Sequence, residues 1–385
     1  MTGLSSLISP SIDVTQRALV NAASRVASSE VISKSSCMTR VERCQFYFFI
    51  FLLLVTTGLG FYPTDFSSPI DRIAFGSCNR ETLPQPLWRV IQSNRPDLWI
   101  WMGDNIYGDS EDVGVIAKKY EVQFNHPDYQ PFRQVQAIIG TWDDHDYGWN
   151  NAGAEYPKKA DTRDLALDFL EVPADHPRRE RKGLYGTHIF GPIGKQVQVV
   201  LLDGRYFAEK PGMPEADLLG SRQEEWLRKT LYESTAQVIL LVSGIQFLPE
   251  DHKYEKWANF PRSRQWLFRL LEDENLPGII LLSGDRHFHE INELQLTASR
   301  PPLVEITSSG MTHSWESLQS EPNRHRVGTF YNGKGFGMLH FNWEPETVQV
   351  TAEIRNDADK CALQHSFTFP LTPVPTKDRN LAAAD

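Results

Sequence analysis

The stretch VQAIIGTWDDHD, residues 135–146, joins an apolar run to a cluster of acidic side chains and one histidine. Runs of this length that are rich in β-branched residues and bounded by glycine are typical of buried strands. Asp143, Asp144, His145 and Asp146 follow the run side by side. Three adjacent carboxylates repel one another unless water, a cation or hydrogen bonds neutralise them. A solvated acidic turn explains the stretch equally well when it is taken alone.

Apolar runs that end in polar residues recur at five other places. They are RIAFGSCN (72–79), DLWIWMGDNIYGD (97–109), QVQVVLLDGR (196–205), AQVILLVSGIQF (236–247) and GIILLSGDRHFHE (278–290). Helical patterns such as VGVIAKKYEVQF and SRQEEWLRKTLYES separate several of them. This alternation predicts an α/β fold with a mostly parallel central portion, whose polar strand ends meet at one ligand-binding edge. The last third predicts an antiparallel hairpin that completes a second sheet.

Composition limits the class of protein. The chain has 385 residues, 41% of them hydrophobic, which is enough for the core of a large domain. A formal net charge of −10 argues against a protein that binds nucleic acid through charge, so we expect no nucleic-acid scaffold as a partner. The four cysteines are too few and too scattered for a disulfide framework or a structural zinc site.

The sequence predicts four segments. Residues 1–45 form a flexible Ser-rich tail, 46–62 a transmembrane signal anchor or signal-peptide core, 70–371 one large domain, and 372–385 a polar tail. The apolar run 46–62 is close to the lower limit of ~17 residues for a spanning helix. Translation from Met38 would give a cleavable secretory signal, whereas translation from Met1 would favour a retained anchor. We therefore expect the secretory pathway, with the domain either lumenal or extracellular on a single-pass anchor, or secreted.

The strand ends supply carboxylates, imidazoles, a thiol, a phenol and amides. This mixture of donors is typical of a divalent or trivalent metal centre. Two ions about 3.5–4 Å apart can share a carboxylate, activate water and hold both oxygens of a phosphoryl transfer. The donor set therefore favours a two-metal hydrolase.

Two motifs narrow the ligand set. In GDRHFH an extended chain would turn Asp285, His287 and His289 toward one face, although His289 could equally lie beyond the site as a satisfied core histidine. In GDNIY, Asp104 and Tyr107 are three residues apart. A phenol binds as phenolate only to a strongly acidic ion, so a Tyr107 ligand would indicate ferric iron, while plain packing is the alternative.

Five motifs resemble, in their order and spacing, the PhoD-type alkaline phosphatase and phosphodiesterase family of metallophosphatases. They are FGSCN, MGDNIYGD, TWDDHDYGWN, LLDGR and SGDRHF, and the resemblance covers about residues 70–371. It implies a metallophosphatase-like β-sandwich flanked by helices, with four layers α/β/β/α and a single catalytic domain. It also implies Fe³⁺ and Ca²⁺ as cofactors, with Zn²⁺ or another divalent pair as the alternative.

The resemblance also implies roles for single residues. The implied metal ligands are Cys78, Asp104, Tyr107, Asp144, Asp285 and His287. Cys78 and Tyr107 would bind the ferric ion, and Asp104 would bridge the metals and be essential for catalysis. His145 would be the catalytic, phosphate-facing histidine.

Several assignments stay open. Arg205 would bind phosphate, with a buried salt bridge to a neighbouring aspartate as the alternative. Asp143 is the second choice for the ligand at Asp144, and Asp146 is expected to orient His145 or cap the turn. The fourth motif of the superfamily normally has a histidine after LLVSG, but this chain reads SGIQFLPE.

At that fourth position, either Gln246 substitutes as an oxygen donor or fewer protein ligands hold the second ion. His252 is the nearest imidazole, yet its charged surroundings predict a solvent-facing loop. The loop 310–335 is expected to shape the substrate pocket.

The predicted activity is hydrolysis of phosphoric esters by a metal-bound hydroxide at a multinuclear site. The substrate would be a small-molecule or lipid phosphate ester. The alternative is a membrane-tethered binding protein with a degenerate site.

Overall fold

In the computed structural model, which describes residues 68–371, buried apolar runs form twelve strands. They are β1 (Arg72–Gly76), β2 (Leu98–Met102), β3 (Ile138–Thr141), β4 (Gly186–Phe190), β5 (Val197–Leu201), β6 (Val238–Val242), β7 (Gly278–Ser283), β8 (His289–Leu294), β9 (Leu303–Ser308), β10 (Gly335–Trp343), β11 (Thr347–Asn356) and β12 (Cys361–Pro370). All six apolar runs with polar ends contain a strand, as predicted.

Seven α-helices lie within the described residues. They are α1 (Leu87–Ser93), α2 (Val113–Phe124), α3 (Tyr129–Arg133), α4 (Asp144–Tyr147), α5 (Lys159–Phe169), α6 (Ser221–Tyr232) and α7 (Pro261–Leu271). The helical pattern VGVIAKKYEVQF coincides with α2, whose first turn is capped because the Asp112 carboxylate accepts a hydrogen bond from Gly114 N at 2.8 Å. The pattern of α6 buries Leu227 and Leu231, four residues apart on one face.

The strands form two six-stranded sheets. The first has the order β12-β11-β10-β1-β2-β3, and the second has the order β4-β5-β6-β7-β9-β8. The strands β1, β2 and β3 are parallel to one another, as are β5, β6, β7 and β9. Antiparallel strands lie at the remaining positions. The predicted hairpin is β10 and β11, which lie between β1 and the edge strand β12 of the first sheet. The mostly parallel central portion is confirmed.

Alternate residues of each central strand face opposite layers of the molecule. Residues such as Phe75, Ile100 and Leu240 fill the core between the sheets. In the first sheet, the alternate residues that face away from this core, such as Trp99, pack with residues of α1 to α5. In the second sheet, residues such as Leu241 pack with α6 and α7. The predicted α/β/β/α sandwich, a single domain, is therefore confirmed.

The membrane prediction has to be corrected. Among the helices at residues 68–371, none is both long and apolar enough to cross a membrane. The apolar run 46–62, on which the prediction of a single-pass protein rested, lies outside the described residues, as do the two predicted tails. The prediction therefore has no support in the structure, and we withdraw it.

Truncation of the core between the sheets should destabilise the protein. Leu240 is fully buried there, so Leu240→Ala should lower the free energy of unfolding by roughly 2–5 kcal/mol. Ile189→Ala is the control. Because Ile189 is 40% exposed on β4, its replacement should lower the free energy of unfolding by less than about 1 kcal/mol. Urea unfolding curves measure the free energy of unfolding of both variants. Equal decreases in the two variants would contradict the assignment of the core.

Candidate metal centre

The carboxyl ends of four parallel strands bring the predicted ligands to one edge of the sandwich. Cys78 follows β1, Asp104 and Tyr107 follow β2, Asp144 follows β3, and Asp285 and His287 follow β7. Parallel strands of one sheet end at the same edge, and the two packed sheets bring their edges together. Residues that are far apart in sequence therefore become neighbours.

Asp104 makes direct contacts with two other predicted ligands. Its Oδ2 lies 3.3 Å from the Cys78 Sγ and 3.4 Å from the Tyr107 hydroxyl. The same hydroxyl lies 3.0 Å from His287 Nε2. A thiol, a carboxylate, a phenol and an imidazole that follow three different strands are thus in contact.

Three groups of side chains each offer donor atoms within 4.8 Å of one another and could hold a metal ion. They are Cys78, Asp104 and His287; Asp104, Asp144 and His145; and Asp143, Asp144 and Asp285. Asp104 and Asp144 each belong to two groups. A carboxylate between two ion positions is what a bridging ligand requires, so the arrangement fits more than one ion.

The charge balance of these groups also fits bound cations. Cys78, Asp104, Asp143 and Asp144 are buried, with exposures of 2% or less. Burial, followed by the charges of Cys78 and Asp144, raises the pKa of Asp104 well above its ordinary value. Asp104 Oδ1 and Asp143 Oδ2 are buried without a hydrogen-bond partner among the described residues. Cations would supply both the missing partners and the missing positive charge.

Four predicted ligands have a backbone conformation that non-glycine residues rarely adopt. The φ angles are 59° at Cys78, 50° at Asp104, 69° at Asp285 and 55° at His287. Such left-handed residues cost on the order of 1–3 kcal/mol each and persist only where surrounding contacts hold them. One such contact is the hydrogen bond from His287 N to Ser309 Oγ at 2.7 Å. Four of the nine described non-glycine residues with positive φ are thus predicted ligands, which agrees with the tendency of such strain to occur at functional sites.

The strained turn corrects the prediction for GDRHFH. The chain is not extended between Asp285 and His287, because both residues have positive φ, and β8 begins only at His289. His289 is fully buried, and its ring stacks on Tyr331 at 5.8 Å. His289 is absent from the three groups found among the described residues, whereas Asp285 and His287 belong to them.

The Asp146 carboxylate joins the ends of β2 and β3. It accepts hydrogen bonds from Asp104 N and Asn105 N, both at 3.2 Å, and from Asn105 Nδ2 at 2.6 Å. It also accepts one from Asp143 N at 2.7 Å. Asp146 therefore caps the turn, which was one of its two expected roles.

Residues 73–351 match the sequence model of the family described as PhoD-like phosphatase. The chain belongs to the PhoD-like phosphatase family. Alkaline phosphatase D of Bacillus subtilis (strain 168) is 24% identical over an alignment 267 residues long, and the match covers 56% of this chain and 45% of that protein. The chain therefore spans less than half the length of that relative. A solved structure of PhoD matches with a TM-score of 0.62 and 18% identity, over 80% of this chain and 72% of that one, which shows a shared fold.

Arg205 of this PhoD-like chain lies in a buried ion-pair network. Its Nε is 2.6 Å from Asp143 Oδ1, its Nη1 is 2.7 Å from Glu255 Oε2, and its Nη2 is 4.0 Å from Asp144 Oδ1. The contact with Asp143 is the salt bridge left open as the alternative. Nη2 has no hydrogen-bond partner among the described residues, so the role in phosphate binding stays a prediction.

Glu255 was missed by the sequence analysis. It lies in the charged segment EDHKYEKW, which was expected to face solvent, and a single glutamate among charged neighbours carries no signal of burial. In the structure its side chain is only 10% exposed because it pairs with Arg205.

His145 is held by Asp109, a second residue that the sequence analysis missed. Asp109 Oδ1 lies 2.6 Å from His145 Nδ1, and Gly108 N donates to the His145 carbonyl at 2.8 Å. The His145 ring lies over Tyr107, with ring centres 4.2 Å apart. Burial opposes protonation, but the hydrogen bond to Asp109 and the charge of Asp144 outweigh it and raise the pKa of His145 to about 9.

The fourth-motif position supplies no ligand in this arrangement. Gln246 Nε2 donates to Glu290 at 2.6 Å and to Thr307 at 2.8 Å, while its oxygen lies 3.1 Å from His252 Nε2. His252 is only 6% exposed, so the prediction of a solvent-facing position is wrong. The alternative with fewer protein ligands for one ion agrees better with these contacts.

The loop 310–335 reaches the predicted ligands. Trp315 N donates to the His287 carbonyl at 2.6 Å. The His313 ring makes edge contacts with Tyr107 at 5.0 Å and with His287 at 4.6 Å. The loop therefore lies beside the site, as its predicted role in shaping the pocket requires.

Removal of the Asp109 charge should change the titration of His145. In the metal-free protein, Asp109→Asn should lower the pKa of His145 from about 9 toward its ordinary 6.5, because the anionic partner is lost. Titration followed by NMR of the histidine ring measures this. Glu111→Gln removes an exposed charge two residues away and is the control. An unchanged pKa in Asp109→Asn would contradict the pairing.

Proposed function

We propose that this chain is a metal-dependent hydrolase of phosphoric esters, of the alkaline phosphatase and phosphodiesterase type, with residues 70–371 as its catalytic domain. The observation that carries the proposal is the set of three overlapping ligand groups. Two of the groups share Asp104, and two share Asp144. Membership in the PhoD-like phosphatase family supports the same reaction class. The substrate is a small-molecule or lipid phosphate ester.

The proposed ligands divide by chemistry. Cys78, Tyr107 and His287 surround one side of Asp104 and would hold Fe³⁺, for which a thiolate and a phenolate are suitable ligands. Asp144 and Asp285 offer hard oxygen atoms suited to Ca²⁺. When bound, the ions supply Lewis acidity toward a phosphoryl oxygen and toward water.

Side chains of the chain itself hold the charges and protons in place. Although burial opposes ionisation, Arg205 and His145 lower the pKa of Asp144, so this carboxylate stays ionised. His145, protonated beside Asp109, would donate a hydrogen bond to the phosphoryl group or a proton to the leaving oxygen. Arg205 would direct its Nη2, which has no hydrogen-bond partner among the described residues, toward the phosphate.

Replacement of the shared carboxylate should abolish activity. The metal-loaded protein should hydrolyse aryl phosphate mono- and diesters, and Asp104→Asn should reduce kcat/KM by at least roughly a hundredfold, because both ions lose a ligand. The circular dichroism spectrum should be unchanged. Asp161→Asn, an exposed aspartate on α5, is the matched control.

Retained activity in Asp104→Asn would show that the bridging assignment is wrong. Bound metal without hydrolysis by the folded parent protein would instead favour a binding protein with a degenerate site.

The identity of the metal is tested separately by absorption spectroscopy. An iron-loaded protein should be coloured, because a phenolate or thiolate bound to Fe³⁺ gives a visible charge-transfer band. Tyr107→Phe and Cys78→Ser should each weaken or shift that band, whereas Tyr120→Phe, on the buried face of α2, should leave it unchanged. A metal-replete protein without colour would favour zinc and overturn the assignment of iron.

A further inference from the structure

Arg80 places a positive charge beside the candidate metal centre. It lies two residues after Cys78, its side chain is exposed, and its guanidinium carbon is 4.5 Å from the centre of the Tyr107 ring. The backbone fixes its position, since Arg80 N donates to Thr312 Oγ1 at 2.7 Å. Within residues 68–371, no carboxylate forms an ion pair with Arg80.

His313 lies against the same Tyr107 ring. It packs edge-on against Tyr107 and His287, and its Nδ1 lies 3.1 Å from Thr312 Oγ1. Its Nε2 is buried and has no hydrogen-bond partner among the described residues. A buried polar atom without a partner is unfavourable, and a bound group that supplies the partner removes this penalty.

Several basic side chains lie near His313. The His287 ring packs against it at 4.6 Å, Arg80 and His145 contact the same Tyr107 ring, and Lys334 is close enough to help lower the pKa of His313. Lys334 is exposed and, within the described residues, has no ion-pair partner. An anionic group at this position would supply a partner for Nε2 and would pair with the Arg80 guanidinium.

We propose that Arg80 and His313 form an anion subsite beside the metal centre, which binds a second anionic group of the substrate next to the phosphoryl group that is cleaved. The inference rests on the proposed function and narrows its substrate class. Phosphate esters that carry a carboxylate or a further phosphate near the scissile group should be preferred over esters of neutral alcohols. Arg80 binds this second group, whereas the ions and His145 act on the first.

The test compares two substrates that differ in one group. Glycerol 3-phosphate carries a hydroxymethyl group where 3-phosphoglycerate carries a carboxylate. The metal-loaded protein should prefer 3-phosphoglycerate by roughly tenfold in kcat/KM, as expected for one charge-assisted hydrogen bond. Arg80→Ala and His313→Ala should each bring this ratio toward one, and Arg80→Lys should restore part of it. Arg222→Ala, an exposed arginine on α6, should keep the full ratio.

The ratio of kcat/KM for the two substrates distinguishes loss of an anion subsite from a general loss of activity. If Arg80→Ala merely distorts Tyr107, both substrates lose activity equally and the ratio is unchanged, which would overturn the inference. A parent protein without preference would overturn it as well. If neither compound is hydrolysed, the aryl phosphate mono- and diesters decide whether the proposed function fails, and calorimetric binding of both compounds to the metal-loaded protein decides the subsite. Tighter binding of 3-phosphoglycerate that Arg80→Ala abolishes would support it, and equal affinities would overturn it.

Discussion

Mutual repulsion among buried carboxylates is the constraint on which the site depends. Asp104, Asp143 and Asp144 are buried, with exposures of 2% or less, and Cys78 is buried as well. The chain supplies part of the compensation, because Arg205 pairs with Asp143 at 2.6 Å. Asp104 has no such cationic partner among the described residues, and one of its oxygen atoms has no hydrogen bond at all. This remaining deficit is why we assign cations to Asp104 and its neighbours.

The sandwich holds this unfavourable arrangement in place. Parallel strands of both sheets end at one edge, and Asp146 joins the ends of β2 and β3 through backbone hydrogen bonds. Glycines leave room where the sheets meet: a Cβ on Gly244 would lie 2.3 Å from Asp143 Oδ1. A well-packed core between the sheets can stabilise left-handed residues that would be unfavourable in an isolated loop. Stability of the scaffold and strain at the site are thus linked.

The sequence was sufficient for the fold class and for the side chains that meet at the edge, because polar residues after buried strands must collect there. It was insufficient wherever a residue depends on contacts distant in sequence. The sequence offered only the case of an extended chain at Asp285 and His287, since the hydrogen bond from His287 N to Ser309 is invisible in the pattern. Asp109 stands within a quoted motif, yet nothing local indicates that it faces His145, which is 36 residues away. Glu255 was missed for the same reason.

Anomalous X-ray diffraction from crystals of the metal-loaded protein tests the central claim most directly. The account predicts ions on both sides of the Asp104 carboxylate, one beside Cys78 and His287 and the other beside Asp144, with Asp104 contacting each. Ions bound elsewhere, or a metal-replete crystal in which Asp104 contacts none, would contradict it.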